Sequence, residues 1–176
     1  MAWSRLGIVS AVDDIEQRVR RTVGGLGSGA EVIDCDPELA DTAQFVEAYG
    51  YELHDSANTI LVIGKSDPPV FVACVVLAHT RLDVNRAVRK RLGVKKCSFA
   101  SADDTRTVTG MEIGGVTPFA LPVDLAILVD ARVMERAQIV VGGGSRSCKV
   151  VGPPSMLSSL SNVEIVDDLA KPIEPA

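Results

Sequence analysis

The sequence predicts an α+β fold: a single domain with a curled, mixed β-sheet flanked by helices. Three observations predict it. Apolar residues make up 47% of the 176-residue chain but aromatics only 4%, so the core is built from Val, Leu, Ile and Ala, which pack well on pleated sheets and helix faces. Short β-type runs occur at both hairpin and crossover spacings between helical patterns, unlike the regular alternation of a doubly wound sheet. The chain has no internal repeat and no second apolar core, and its length is that of one domain.

Val12, Ile15, Val19 and Val23 recur at helical spacing, so a helix covers Asp13 to Val23 and ends in Gly24-Gly25-Leu26-Gly27-Ser28-Gly29. That glycine run follows a helix rather than a strand and has no Lys-Ser or Lys-Thr after it, which makes it a linker, not a phosphate loop. Glu31 to Cys35 reads as a short strand. Asp36-Pro37-Glu38 then supplies an N-cap, a proline at the first helical position and an acid in the first turn, predicting a helix to about Tyr49 with Gly50 as its stop.

Asn58 to Ile63 and Val70 to Ala78 are β-type runs joined by Gly64 and Asp67-Pro68-Pro69. They predict an antiparallel hairpin whose second strand, apolar almost throughout, is buried on both faces at the centre of the sheet. A helix starting near Asp83 carries Val84, Ala87, Val88 and Leu92 on one face and stops at Gly93; Val94 to Ala100 is the next strand. Ala102 to Arg106 reads as a helical turn and Gly110 to Pro118 as an irregular connection. Strands at Leu125 to Val129, Gln138 to Val141 and Ser147 to Val151, a short helix at Met156 to Leu160, a strand at Val163 to Val166 and a proline-bearing tail complete the set.

The net charge of −5 excludes a protein that coats nucleic acid nonspecifically, since neutralising many phosphates needs a clear excess of Lys and Arg. A local basic cluster nevertheless exists: Arg81, Arg86, Arg89, Lys90, Arg91, Lys95 and Lys96, interrupted only by Asp83. It is either a solvated helix face or a phosphate-binding one. The N-terminus lacks an apolar leader, and no segment reaches the ~20 apolar residues of a membrane span, so a soluble, cytoplasmic protein is expected. Cys35, Cys74, Cys97 and Cys148 are scattered, which predicts reduced, buried thiols and no metal site. No Gly-x-Ser-x-Gly elbow, His-Glu-x-x-His helix, Walker loop or Rossmann fingerprint is present.

Two glycine-dense loops remain as places for chemistry. Thr109-Gly110 leads into Gly114-Gly115-Val116-Thr117-Pro118, and Gly142-Gly143-Gly144-Ser145-Arg146-Ser147 follows the apolar run Ile139-Val140-Val141. Glycine lets a ligand approach bare backbone, whose N–H groups can orient a carbonyl or phosphate. Tight turns explain the same glycines equally well. Asn58, Thr109 and Asp130 divide the same way, between ligand contacts and turn or strand-start hydrogen bonds. His79, at the end of a strand, and His54, just before one, read as capping or partly exposed residues, and no thiol has a His close in sequence to activate it.

The order and spacing of Leu82-Asp83, Thr109-Gly110, Gly114 to Pro118, Val129-Asp130 and Gly142 to Arg146 resemble the YbaK family, related to the editing domain inserted in bacterial prolyl-tRNA synthetases. The resemblance spans about residues 55 to 160. It implies a small pocket that takes the aminoacyl group and terminal adenosine of a mischarged tRNA and hydrolyses the ester without a metal or cofactor. The implied activity is that of a freestanding aminoacyl-tRNA deacylase, on Ala- or Cys-tRNA carrying proline's tRNA, with mischarged tRNA and a synthetase as partners and no membrane. By the same resemblance Gly114 and Pro118 belong to a loop beside the aminoacyl group; Asn58, and Gly115 through its backbone amide, complete the candidate catalytic set. Gly142, Gly143 and Gly144 match the family's later glycine loop near the pocket and Asp130 an acidic position at a strand end; with Thr109, Gly110 and Ser145 they are the candidate substrate contacts, and the basic cluster makes Arg86, Arg89 and Lys90 the candidate tRNA contacts. One departure stands out: the family's Lys-Thr-Leu reads Asn58-Thr59-Ile60 here, replacing a cation by a neutral donor and acceptor. The alternatives are a noncatalytic module that binds an aminoacyl or nucleotide end, and a hydrolase for another small acyl ester.

Overall fold

A computed structural model describes residues 11–174. The N-terminal segment from Met1 to Val9, and the last two residues of the tail, lie outside that range. Helix α1 (Ala11–Gly25) buries Ile15, Val19 and Val23, the stripe expected from their spacing. After β1 (Glu31–Asp34), Asp36 accepts a hydrogen bond from the Glu38 N–H and caps a single 3₁₀ turn, Pro37–Leu39. The expected continuous helix breaks there. Ala40 is buried and helix α2 (Thr42–Tyr49) starts afresh beyond Asp41, whose carboxylate pairs with Arg146 instead of capping the helix. Gly50 ends α2 in the left-handed conformation.

Strands β2 (Ala57–Gly64) and β3 (Val70–Leu77) form the expected hairpin, with Ala57 opposite Leu77 and Gly64 opposite Val70. Strand β4 (Thr80–Leu82), a π-helical turn at Val84–Val88 and α3 (Arg89–Leu92) follow, with Asp83 accepting from the Arg86 N–H at the start of the turn. Strand β5 (Cys97–Phe99) is shorter than the expected Val94 to Ala100. Helix α4 (Ala102–Thr109) is longer than the expected turn because Ser101 and Asp104 build a reciprocal capping box. The chain closes with β6 (Ile127–Asp130), α5 (Ala131–Met134), β7 (Ile139–Gly142), β8 (Cys148–Gly152), α6 (Ser155–Ser158), β9 (Val163–Val166) and β10 (Ala170–Pro172).

The main sheet has the order β5-β2-β3-β6-β9, so the doubly buried β3 is its middle strand. The sheet is mixed, with β2 antiparallel to β3 and to β5, and β6 parallel to both β3 and β9. A second, antiparallel sheet, β1-β8-β7, meets the first through a bridge between Ser56 and Val140. The β4 and β10 strands pair separately. Strand alternation divides the core. Ala57, Leu61, Ala73, Val75 and Leu77 face α1 and the Met111–Leu125 segment, while Val62, Val72, Cys74 and Val76 face Val84 and Val88. Phe45 of α2 packs in a third cluster with Val140 and Val151. All four cysteines are free and buried, and burial pushes the Cys74 thiol up to about 12.

Candidate active site

The junction of the two sheets leaves β2 with an open edge. One side of the strand is paired with β3 throughout; the other meets β5 only at Val62–Gly64 and β7 only through Ser56. Residues 57–60 between those contacts line a cavity of about 280 Å³. Thr42 and Phe45 of α2 close one side, Ile113, Gly114 and Val116 another, and Val140 to Gly142 of β7 with Lys149 of β8 the third. An unpaired strand edge presents backbone N–H and C=O groups, so this wall can hydrogen-bond a polar ligand through its main chain. Thr59 adds a buried hydroxyl with no hydrogen-bond partner.

Among the residues singled out from sequence, Asn58, Gly114 and Gly142 come together here. The Asn58 Oδ1 accepts from the Thr42 hydroxyl at 3.3 Å, which fixes the amide and turns its NH₂ away from Thr42 as a donor. Gly114 adopts φ 96°. Gly115, outside the cavity lining, and Gly142, within it, hold the loops against each other. A Cβ on Gly115 would lie 2.7 Å from the Ser145 carbonyl carbon, and one on Gly142 2.2 Å from the Val116 oxygen. The Gly115 N–H donates to the Glu112 carbonyl, and its own carbonyl accepts from the Gly144 N–H, so both its backbone groups are engaged within the loops.

The remaining predicted positions lie elsewhere. Pro118 is buried and opens a 3₁₀ turn (Pro118–Ala120) packed against α1. Thr109 donates to the Thr105 carbonyl at the end of α4, and Gly110 is that helix's left-handed C-cap. Gly143 abuts Cys148, Gly144 faces Ile15 and Val19, and the Ser145 hydroxyl donates to the Glu16 carboxylate of α1. Asp130 is buried at the N-cap of α5, where it accepts from the Arg132 and Ala170 N–H groups and pairs with the Arg132 guanidinium. Arg86, Arg89 and Lys90 sit on the turn and helix after β4. Arg89 joins Lys65, Lys95 and Lys96 around a second hollow at the opposite end of β2, about 20 Å along the strand from Asn58 by its residue rise. The His54 and His79 rings lie outside the cavity, their centroids 4.4 Å apart and their planes tilted by 43°.

The charged groups of the cavity are Asp41 and Lys149, neither of which the sequence singled out. Asp41 is held below the usual carboxylate range by the Arg146 guanidinium, which donates to it at 3.0 Å and to the Pro37 carbonyl at 3.2 Å, strapping the start of α2 to the 142–147 loop. Lys149 is buried, and desolvation lowers its pKa. No His, Cys or Glu lines the cavity, and among the described residues no three His, Cys, Asp or Glu side chains cluster as metal ligands.

The family model described as the aminoacyl-tRNA editing domain matches residues 36–159, which contain every lining residue of this cavity. The chain belongs to the aminoacyl-tRNA editing domain family. Among curated proteins, the uncharacterized protein YwhH of Bacillus subtilis (strain 168) is 26% identical over 141 residues, covering 80% of this chain and 87% of YwhH. A solved structure described as a candidate trans-editing enzyme for prolyl tRNA synthetase superposes with a TM-score of 0.76 at 20% identity, covering 89% of this chain and 96% of that one. The hypothetical protein APE2540 gives 0.76 at 21% identity, over 85% and 97%. These structures share the mixed α+β architecture of this editing-domain protein. No helix among the described residues is long and apolar enough to cross a membrane.

Proposed function

We propose that the chain is a freestanding aminoacyl-tRNA deacylase that hydrolyses the ester of a mischarged tRNA in the cavity at the open edge of β2, with Ala- or Cys-tRNA(Pro) as its substrates. The observation that carries this reading is the convergence of Asn58, Gly114 and Gly142, from three separate parts of the family match, on one small cavity. Its volume, at the low end of small-molecule pockets, suits an aminoacyl group and part of its ribose. Its lining offers backbone edges, hydroxyls and one amide, but no Cys or His nucleophile. Water is therefore the attacking group, and acceleration comes from holding ester and water in near-attack geometry beside fixed donors. Asn58, held by Thr42, orients the ribose or the ester, and the basic face of Arg86, Arg89 and Lys90 takes the tRNA backbone in the cytoplasm.

The test is deacylation of a panel of mischarged tRNAs by the wild-type chain and by Asn58→Ala and Asn58→Lys. The reading expects release of the amino acid from at least one species and a clear loss in Asn58→Ala. Binding of charged tRNA with no turnover on any species would instead make the chain a noncatalytic aminoacyl-end module.

A further inference from the structure

Lys149 is a buried cation without a paired acid among the described residues. It lies on β8 opposite Gly142, at the junction of the two sheets, and is 8% exposed. Its ammonium lies 5.6 Å from the centroid of the Phe45 ring and makes a single long contact, 3.5 Å, to the Gly114 carbonyl oxygen. No ion pair among the described residues includes it. The acid that shares its cavity, Asp41, is engaged by Arg146. An ammonium has three donors; here one of them has a weak acceptor. A buried cation is normally matched by an anion or a full set of acceptors, because a desolvated charge left bare loses its hydration without compensation. Arg146 cannot take its place in the cavity, being occupied by Asp41 and Pro37.

The geometry points to Lys149 as the catalytic cation of this site, its Nζ taking the carbonyl oxygen of the bound ester and the negative charge that develops there. The inference rests on the deacylase reading and supplies the charge that Asn58 does not carry. Water attacks the carbonyl carbon, forming a C–O bond as the π pair moves onto oxygen beside the Lys149 ammonium. Collapse restores the C=O bond and expels the ribose oxygen. The proton given up by the water ends on that oxygen, so one ester and one water give one amino acid and one free tRNA end. The Phe45 ring and the Gly114 carbonyl hold the ammonium in place before substrate arrives. Burial keeps water from competing for it, and also lowers its pKa, so the charged form is lost at a lower pH than for a surface lysine.

The experiment compares wild type, Lys149→Met and Lys149→Arg for single-turnover deacylation and for KM across pH, each corrected for enzyme-free hydrolysis, with thermal unfolding as a folding control. Lys149→Met should melt no lower than wild type, since it replaces a buried charge by an apolar chain of similar length. Its rate should fall by about 10²- to 10³-fold, as for loss of one oxyanion donor, with KM changed by less than about threefold. Lys149→Arg should keep part of the rate and shift the alkaline fall of the profile upward, because a guanidinium stays charged. A Lys149→Met rate within threefold of an active wild type, or an unchanged alkaline limb in Lys149→Arg, overturns the role of Lys149 alone. A wild type that hydrolyses no aminoacyl-tRNA overturns the deacylase reading, and this role with it.

Discussion

Replacing Gly142 by alanine puts the loop packing around the cavity to a direct test. The new Cβ would sit 2.2 Å from the Val116 oxygen, 2.9 Å from its carbon and 3.1 Å from the Gly115 oxygen. All three are backbone atoms, so no side chain can swing aside, and the 113–116 loop must retreat by about 1 Å to restore ordinary contact. The retreat pulls on the Gly144 N–H to Gly115 carbonyl bond, now 2.8 Å. Overpacking costs about 1–3 kcal/mol and a weakened hydrogen bond about 1 kcal/mol more, together about 2–4 kcal/mol. For a chain of this size that lowers Tm by about 5–15 °C. Because Gly114 and Gly142 both line the cavity, a 1 Å displacement should also reduce the deacylation rate about 10²-fold in molecules that remain folded. Urea and thermal unfolding measure the first effect and single-turnover deacylation the second. Gly24→Ala is the matched control: Gly24 lies in the last turn of α1 with nothing within 4 Å of its Cβ position, so alanine should stabilise by up to about 1 kcal/mol. A Gly142→Ala variant within about 0.5 kcal/mol of wild type would refute the close approach of the two loops.

Three further outcomes follow from the same geometry. Asp130→Ala leaves the Arg132 and Ala170 N–H groups without their acceptor, while the Arg132 guanidinium keeps Asp168 and the Ala170 carbonyl; it should lose about 2–4 kcal/mol in urea unfolding, from the lost cap and a buried donor left unpaired, while activity per folded molecule stays within about twofold. Because the native Lys149 ammonium loses its proton at lower pH than an unfolded lysine, the unfolded state holds more protons between the native value and about 10.4. Stability should therefore rise with pH in that window, and Lys149→Met should flatten the rise. Reversing Arg86, Arg89 and Lys90 to Glu should weaken tRNA binding most at low salt and reduce the slope of log K against log salt by roughly one for each phosphate no longer neutralised; an unchanged affinity would leave that face a solvated surface.

Much of the fold was legible because its signals are local. The β2–β3 hairpin follows from two apolar runs around a proline turn, and β3's unbroken apolar character marks it as the middle strand. The stripe of α1, the stop at Gly50 and the cap at Asp36 are likewise local. What was not legible depends on distant partners. Strands β4 and β10 have three residues each, too few to show alternation, and exist by pairing with each other across the chain. The break before α2 depends on Arg146, far along the sequence, drawing Asp41 away from helix capping. In the site, the glycine loops were visible, but sequence could not separate Gly114 and Gly142, which line the cavity, from Gly115, which does not. Lys149 was missed because a lysine within Cys148-Lys149-Val150 reads as the solvent-facing member of a strand. Only the meeting of β7 and β8 with the open edge of β2 turns it inward. Its signal, an isolated charge between apolar residues of a strand, is weak by itself.

The most direct measurement is the time course of amino acid release from Ala-tRNA(Pro), Cys-tRNA(Pro) and Pro-tRNA(Pro) with wild-type protein beside an enzyme-free control. The account predicts that at least one of the two mischarged species is cleared well above the control rate while Pro-tRNA(Pro) is spared. Decay of all three at the control rate would contradict it.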